Sequence, residues 1–460
     1  MCGIFGIHGH ADAAAISHLG LYSLQHRGQE SAGIVATGLN GDAHAVKKMG
    51  LVSEGLRGTD LTRMEGDVAI GHTRYSTAGS STIENAQPVL VRFRDGYIAL
   101  AHNGNLINAT EMRRELEDLG SIFTSTMDSE VLVHRIARSN AKSPEAKVAE
   151  ALQGVEGAYS LVVTIGETLI AARDPRGWRP LVMGRLGESY VFASESCALD
   201  IVGAEAVREV EPGEIIAVDR EGVRTLHPLP KQESRRCVFE YVYFARPDSR
   251  VFGGSVDRAR RHLGRRLARE NPAPTADLVF AVPDSSNSAA LGFAEESKLP
   301  YELALIRNHY VGRTFIQPTQ AGRDEKVKVK YNAVREVLKG KSVVMVDDSI
   351  VRGTTTRGLV AMVRAAGARE VHMRVSSPPI TGPCYYGIDT PNREELIAAN
   401  MTVDEIAATI GVDSLGYLSL EGMLDSVPDG PDGFCHACFS GDYPTAPPAD
   451  PQKLRFGCGC

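Results

Sequence analysis

The 460-residue sequence contains no run of 18 apolar residues, and no basic segment leads into an apolar one at its amino terminus. Neither a membrane span nor a secretory signal is therefore expected, and the expected location is the cytoplasm. An excess of basic charge is also missing, since 50 Lys and Arg stand against 57 Asp and Glu, a formal net charge of −7. A nucleic-acid sleeve needs a basic face, so no nucleic-acid partner is expected, and no membrane. The Walker pattern G-x-x-x-x-G-K-S/T does not occur, which excludes that kind of phosphate loop. Cysteine is sparse, with eight residues in all, and without a signal these suit metal or catalytic use rather than disulfides. What remains, 43% hydrophobic and 23% charged, is an ordinary globular composition with length enough for two domains.

The stretch KSVVMVDDSIVRGTTT, residues 341–356, organises the second half. Residues 342–346 are apolar and β-branched, the composition of a strand buried on both faces of a parallel sheet. Asp347 and Asp348 end it, a turn of hydroxyls with Gly353 follows, and a helix pattern through Leu359, Val360, Met362 and Val363 runs to Gly367. A helix start offers unpaired N–H groups and the positive end of its dipole to a phosphate. Two carboxylates would repel that phosphate unless they face a divalent cation or sugar hydroxyls. The expected ligand is a phosphorylated sugar with Mg²⁺, held at the carboxyl end of a sheet.

At the other end, MCGIFG places Cys2 where loss of the initiator methionine would leave an α-amino group beside the thiol. Such an amine, with a pKa of about 7.7–8.0, suits a general base, and the thiol needs little help to attack a carbonyl. HRGQES (26–31) lies between a helical pattern and a strand-like run, and GHTRYST (71–77) closes the strand pattern 68–70. AHNGN (101–105) reads as a strand leading into an Asn103-Gly104-Asn105 turn, whose Asn side chain and Gly N–H can jointly donate to an oxyanion.

The rest of the first half alternates short strands (159–165, 169–173, 190–194, 214–218) with helices near 110–119 and 129–139, the pattern of an antiparallel sandwich covered by helices. The Pro-rich, charged stretch 227–234 marks a boundary, giving domains 1–230 and 231–460. Beyond it, strand patterns at 278–282, 301–306, 343–346 and 371–375 alternate with helices, a doubly wound α/β order. The strongly basic helix pattern 258–270 reads as a solvated face. The basic stretch 307–330 reads as a lid over a pyrophosphate.

MCGIFG, HRGQES, GHTRYST, AHNGN and Met127-Asp128-Ser129-Glu130 together resemble the amino-terminal-nucleophile glutamine amidotransferases over residues 1 to about 230. The resemblance implies an αββα sandwich with Cys2 as nucleophile, Asn103 and Gly104 as oxyanion hole, Arg74 on the glutamine α-carboxylate and Asp128 on its α-ammonium. Residues 341–356 resemble the phosphoribosyl-pyrophosphate loop of type I phosphoribosyltransferases. That implies ribose hydroxyls and Mg²⁺ on Asp347 and Asp348, and the 5′-phosphate cradled by Ser349, Val351, Arg352, Gly353, Thr354 and Thr355. It also implies a metal and pyrophosphate environment at Ser285. Over nearly its whole length the chain is similar to the glutamine phosphoribosylpyrophosphate amidotransferases, which implies an αββα sandwich followed by a type I phosphoribosyltransferase domain. It further implies a cytoplasmic homotetramer inhibited by purine nucleotides. Competing readings are another amidotransferase of the same amino-terminal type, a nucleotide-sensing binding module and a redox protein.

The cysteines divide spacing from resemblance. By spacing, Cys435-His436-Ala437-Cys438 and Cys458-Gly459-Cys460 look like two knuckles of a four-thiolate zinc site. The resemblance to the iron–sulfur branch of that family implies instead a 4Fe–4S cluster on Cys237, Cys384, Cys435 and Cys438, with Cys197 free. Four thiolates match such a cluster in number and softness.

Overall fold

Buried β-rich runs of the first half pair into two antiparallel sheets in a computed structural model of the chain, which describes residues 1–38, 42–56, 61, 63–75, 80–309, 329–390 and 392–447. The first sheet has seven strands, in the order Glu205–Glu209, Val182–Leu186, Ser189–Ala193, Gly3–His8, Val68–Arg74, Ser31–Thr37 and Ala43–Met49. The second has six, in the order Gly222–Leu226, Ile215–Asp219, Thr168–Arg173, Gly157–Ile165, Gly96–Leu106 and Val89–Phe93.

Successive side chains of a strand point to opposite faces, and here both faces are covered. Ile4, Val35, Ile70, Ala99 and Val162 form the dry layer between the sheets. On the outside, Phe5, Ile34 and Ala69 meet helices Ala13–Ser23 and Cys197–Val202. Leu100, Leu161 and Val163 meet helices Glu130–Arg138 and Pro144–Ala151. The result is the αββα sandwich expected from the sequence.

Residues 227–235 carry no regular structure, and the sandwich ends before them at Leu226. The second half is built on a parallel sheet of four strands, Leu278–Ala281, Ser342–Asp347, Glu370–Val375 and Ser414–Tyr417. Helices cover both of its faces. Val279, Ala281, Val344 and Val346 pack against helices Val256–Glu270 and Asn287–Ser297. Phe280, Val343 and Met345 pack against helix Thr354–Ala365 and against Ile406 and Ile410.

Two details differ from the sequence reading. The strand expected at 301–306 touches the parallel sheet only through the bridge Val279–Tyr301. Its end, Leu305–Arg307, instead pairs antiparallel with Tyr331–Ala333. The fourth strand, Ser414–Tyr417, is short and only partly buried, so no apolar run announces it. The body of the expected lid, residues 310–328, lies outside the described residues. Its two ends are tied by Asn308 N–H donating to Lys330 O at 2.8 Å.

The basic helix is neutralised by its neighbour rather than by solvent alone. Arg261 and Arg265 pair with Glu295, and Arg269 with Glu296. These helices approach closely because each presents a glycine to the other. A Cβ on Gly264 would lie 1.8 Å from Ala289 O, and one on Gly292 would lie 2.1 Å from Arg261 O. The backbones cannot accept even a methyl group without moving apart. Gly264→Ala is therefore expected to destabilise the second half by about 1–3 kcal/mol, the usual cost of overpacking, read as a lowered urea midpoint.

Candidate active sites

Cys2 directly precedes strand Gly3–His8, whose register sets Gly3 opposite Thr73, so Cys2 emerges at the same sheet end as Arg74. The thiol is buried, and its backbone N–H donates to Asn103 Oδ1 at 3.2 Å. The other end of that amide, Asn103 Nδ2, is buried with no partner among the described residues. A buried donor left unpaired beside a nucleophile is what a developing oxyanion requires.

Asn103-Gly104-Asn105 is not a turn, contrary to the sequence reading. It continues strand Gly96–Leu106, with Asn103 opposite Ser160 and Gly104 opposite Tyr159. Glycine is required at 104 for closeness: φ is +155°, and a Cβ would stand 1.9 Å from Ala158 O.

Arg74 is buried, and its Nη1 donates to Glu30 and to Ser80 O at 3.1 Å. Ser76 and Thr77 lie outside the described residues. Asp128 accepts from Leu106 N at 2.9 Å and from Ser129 N at 2.8 Å, with His102 Nδ1 at 3.8 Å. Burial alone would raise this carboxyl, but the His102 imidazole and the two amides outweigh it and hold it below the usual value. The α-amino group expected on Cys2 belongs in this chain to Met1, and burial pushes it down to about 5.

The strongest contact to Cys2 was not assigned from sequence. Arg27 Nε donates to Cys2 O at 2.9 Å, while its Nη atoms bind Glu240 at 2.8 and 3.0 Å and also bind Glu195. HRGQES contains Arg27, but its two carboxylates lie 168 and 213 residues away in the chain, so only folding reveals the cluster.

In the second half, the chain leaves strand Leu278–Ala281, bridges at Tyr301 on one side and then places Ser342–Asp347 on the other. Strand order reverses here, and α/β sheets bind ligands at the carboxyl ends of such strands. Asp347 and Asp348 stand at this point, both buried. Ser285 Oγ donates to Asp348 at 2.5 Å, and Ser349 Oγ donates to the other oxygen at 2.6 Å. Ser286, which the sequence reading passed over, donates to Asp347 at 3.0 Å. Burial pushes both carboxyls up, and Asp347 is raised further by the charge of Asp348. Such a pair suits a divalent cation, with Ser285 beside it.

Gly353 takes φ +73° at the start of helix Thr354–Ala365 and gives it no side-chain cap, so the first N–H groups are open to an anion. Ser349 and Val351 are half-buried, and Thr354 and Thr355 are exposed on the same turn. Arg352 is turned away, its Nε donating to Glu395 at 2.9 Å.

Residues 72–200 match the family model described as "Glutamine amidotransferase domain". The chain is 51% identical to the amidophosphoribosyltransferase of Bacillus subtilis over 450 residues, covering 96% of this chain and 94% of that one. It belongs to the amidophosphoribosyltransferase family. The Archaeoglobus fulgidus amidophosphoribosyltransferase is 48% identical, covering 98% of this chain and 99% of its own. A solved structure of glutamine phosphoribosylpyrophosphate amidotransferase from B. subtilis, complexed with ADP and GMP, aligns with a TM-score of 0.91 at 50% identity, covering 98% of each chain. A second solved structure, described as the allosteric regulatory enzyme of purine biosynthesis, aligns at 0.92 and 51% identity, covering 98% of this chain and 97% of that one.

Four of the cysteines, Cys237, Cys384, Cys435 and Cys438, gather on the seam between the halves. Strand Arg236–Cys237 pairs parallel with Phe434–Cys435, setting Cys237 opposite Cys435. Cys438 O accepts from Thr381 N and Gly382 N at 2.9 and 3.1 Å, which brings the Cys384 segment alongside. Burial raises the Cys438 thiol well above its usual value, and the charges of Cys384, Cys237 and Cys435 raise it further. Cys237 is pushed up to about 11, chiefly by burial. Buried thiols are the donor type that a soft, positively charged group takes. Among the described residues, no three His, Cys, Asp or Glu side chains stand close enough to form a finished metal cage. Cys458 and Cys460 lie outside the described residues, so the zinc arrangement falls outside them too. Cys197 is free and buried in the sandwich, away from this group.

Behind Cys2, His72 is fully buried, with Nε2 on His102 O at 3.0 Å, and burial pushes it from 6.5 down to about 3. Its folded pKa lies below the unfolded one, so the stabilisation is complete above 6.5 and is lost as pH falls towards about 3. His72→Gln is expected to flatten the fall of the melting temperature between those pH values, measured by thermal scans against wild type.

Proposed function

We propose that the chain aminates 5-phosphoribosyl 1-pyrophosphate with the side-chain nitrogen of glutamine, giving 5-phosphoribosylamine, glutamate and pyrophosphate, the first committed step of purine biosynthesis. The observation that carries the reading is Asn103: one end holds the Cys2 backbone while its buried donor is left free beside the thiol.

Cys2 attacks the glutamine amide, Asn103 and Gly104 stabilise the oxyanion, and Arg74 and Asp128 hold the amino-acid end. Ammonia leaves and water clears the glutamyl thioester from Cys2. The ammonia crosses inside the protein to C1 of the sugar, because in neutral water it would be mostly ammonium, which has no lone pair to attack with. Asp347, Asp348 and Ser285 would hold Mg²⁺, which supplies charge neutralisation for the departing pyrophosphate. Ser349, Val351, Gly353, Thr354 and Thr355 cradle the 5′-phosphate, and Arg352 joins them by exchanging Glu395 for the phosphate. Cys237, Cys384, Cys435 and Cys438 would hold a 4Fe–4S cluster with a structural role on the seam. The working form is a cytoplasmic homotetramer inhibited by purine nucleotides; for the nucleotides alone, support comes from the related B. subtilis enzyme, which was solved with ADP and GMP.

The two chemistries should separate by mutation. Cys2→Ala is expected to abolish glutamine-dependent turnover and keep synthesis from concentrated ammonium, and Asn103→Ala should lower glutaminase kcat roughly 10²–10³-fold. Asp347→Asn with Asp348→Asn is expected to lose synthesis from either nitrogen donor, with calorimetry showing loss of affinity for phosphoribosyl pyrophosphate and Mg²⁺. Loss of both activities in a folded Cys2→Ala protein would refute the division into two sites.

Metal analysis of anaerobically purified protein is expected to give about four iron and four sulfide per chain, with broad absorbance near about 400 nm that fades on oxidation. One zinc without iron or sulfide in active protein would overturn the cluster.

A further inference from the structure

The glutamine site is not confined to the half of the chain that carries the nucleophile. Arg27, whose Nε holds Cys2 O, is fully buried, and its Nη pair is bound by both oxygens of Glu240, the first residue of the π-type turn Glu240–Phe244 in the second half. Glu195, the other carboxylate on Arg27, accepts from Arg246 N at 2.9 Å and from Ser249 Oγ at 2.7 Å, again from the second half. His26 Nε2 lies 2.7 Å from Glu195, and Arg179 Nη1 lies 3.6 Å from Glu240. Two guanidinium groups thus face two carboxylates, contributed from both sides of the seam, with the His26 ring beside Glu195.

A second contact reaches the oxyanion strand. Asn105 Nδ2 donates to Tyr385 O at 2.9 Å, and a Cβ on Gly387 would lie 2.9 Å from the carbonyl carbon of Gly104. Arg179 Nε donates to Tyr386 O at 3.0 Å, and the Tyr386 ring stacks on Trp178 with centroids 3.8 Å apart. Backbone therefore lies directly on backbone at the residue that would stabilise the oxyanion.

The same turn is tied to the sugar-phosphate site. Arg260 donates to Tyr241 O at 2.8 Å and to Ala245 O at 2.7 Å, and its Nη1 reaches Ser285 O at 3.4 Å. Ser285 in turn donates to Asp348. A cluster serving only to glue domains together would do as well with apolar side chains, which often match or exceed a buried ion pair in stability. Here the guanidinium between the carboxylates is the group that holds the nucleophile's carbonyl.

We propose that Glu240 and the strap 385–387 are positioning residues for the glutamine reaction, acting through Arg27 on Cys2 and through Asn105 on the oxyanion strand. The docked second half thereby sets the distance between the thiol and Asn103 Nδ2. The proposal rests on Cys2 being the glutamine nucleophile.

The test uses the full chain and the glutamine-shaped diazoketone 6-diazo-5-oxo-L-norleucine. The Cys2 sulfur bonds to the diazo carbon, dinitrogen leaves and the thiol proton ends on that carbon. Glu240→Gln and Asn105→Ala are each expected to be labelled at Cys2 roughly 10–10²-fold more slowly than wild type, the cost of a misplaced reacting group. Iodoacetamide, which makes no use of the oxyanion site, should label both at the wild-type rate. Synthesis from ammonium and the KM for glutamine should be retained, with the loss in glutaminase kcat. Wild-type diazoketone rates in both variants overturn the proposal. So does parallel loss of ammonium-dependent synthesis in both, which marks a purely structural seam. If one variant fails to fold, the other decides. Failure of the reagent to label Cys2 in wild type would instead refute the assignment of the nucleophile.

Discussion

One guanidinium without solvent ties the molecule together. Arg27 is opposed by burial, yet Glu240 and Glu195 outweigh that and keep it charged well above the usual guanidinium range. Desolvating such ions costs several kcal/mol each, and only good geometry on several sides offsets it. The geometry is complete here because each half supplies one of the carboxylates. The nucleophile's carbonyl is held as part of the same arrangement, so the site and the seam cannot be varied separately.

The second site follows the opposite logic. Asp347 and Asp348 are adjacent, buried and answered within the chain chiefly by serine hydroxyls, so burial and mutual charge push Asp347 up. Arg260 is a buried cation whose charge acts on Asp348, and it is already engaged with the carbonyls of Tyr241 and Ala245. A carboxylate pair of this kind favours a divalent cation, and the open start of helix Thr354–Ala365 favours an anion beside it. Together they suit a ligand that carries both, as the proposed phosphorylated sugar with its metal does.

Between the sites, the seam is made from residues whose roles differ though their surroundings are shared. Trp178 and Tyr386 stack, Cys435 packs with Ile107 and Ala158, and Arg179 donates to Tyr386 O. Cys435 and Cys384 are thus packed against the sandwich, while Cys237 and Cys438 join the core of the second half. A group bound to them would touch both halves at once.

Local chemistry was legible wherever it repeats over a few residues. The apolar run 342–346 and the glycine at 353 announced strand and helix start, and the carboxylates between them a candidate site, because each depends on neighbours in sequence. The αββα sandwich was legible for the same reason, through alternating strands and Gly turns. What only the tertiary structure decided were pairings across long separations. Arg27 meets Glu240 across 213 residues, Asn105 meets Tyr385 across 280, and Asn103-Gly104-Asn105 becomes a strand because Gly157–Ile165 lies beside it. An Asn-Gly pair favours a turn by local propensity, and a ladder of cross-strand hydrogen bonds outweighs that preference. Sequence thus determined which groups the protein possesses. Folding decided which of them share a desolvated space, because burial and charge pairing act through distance and not through position in the chain.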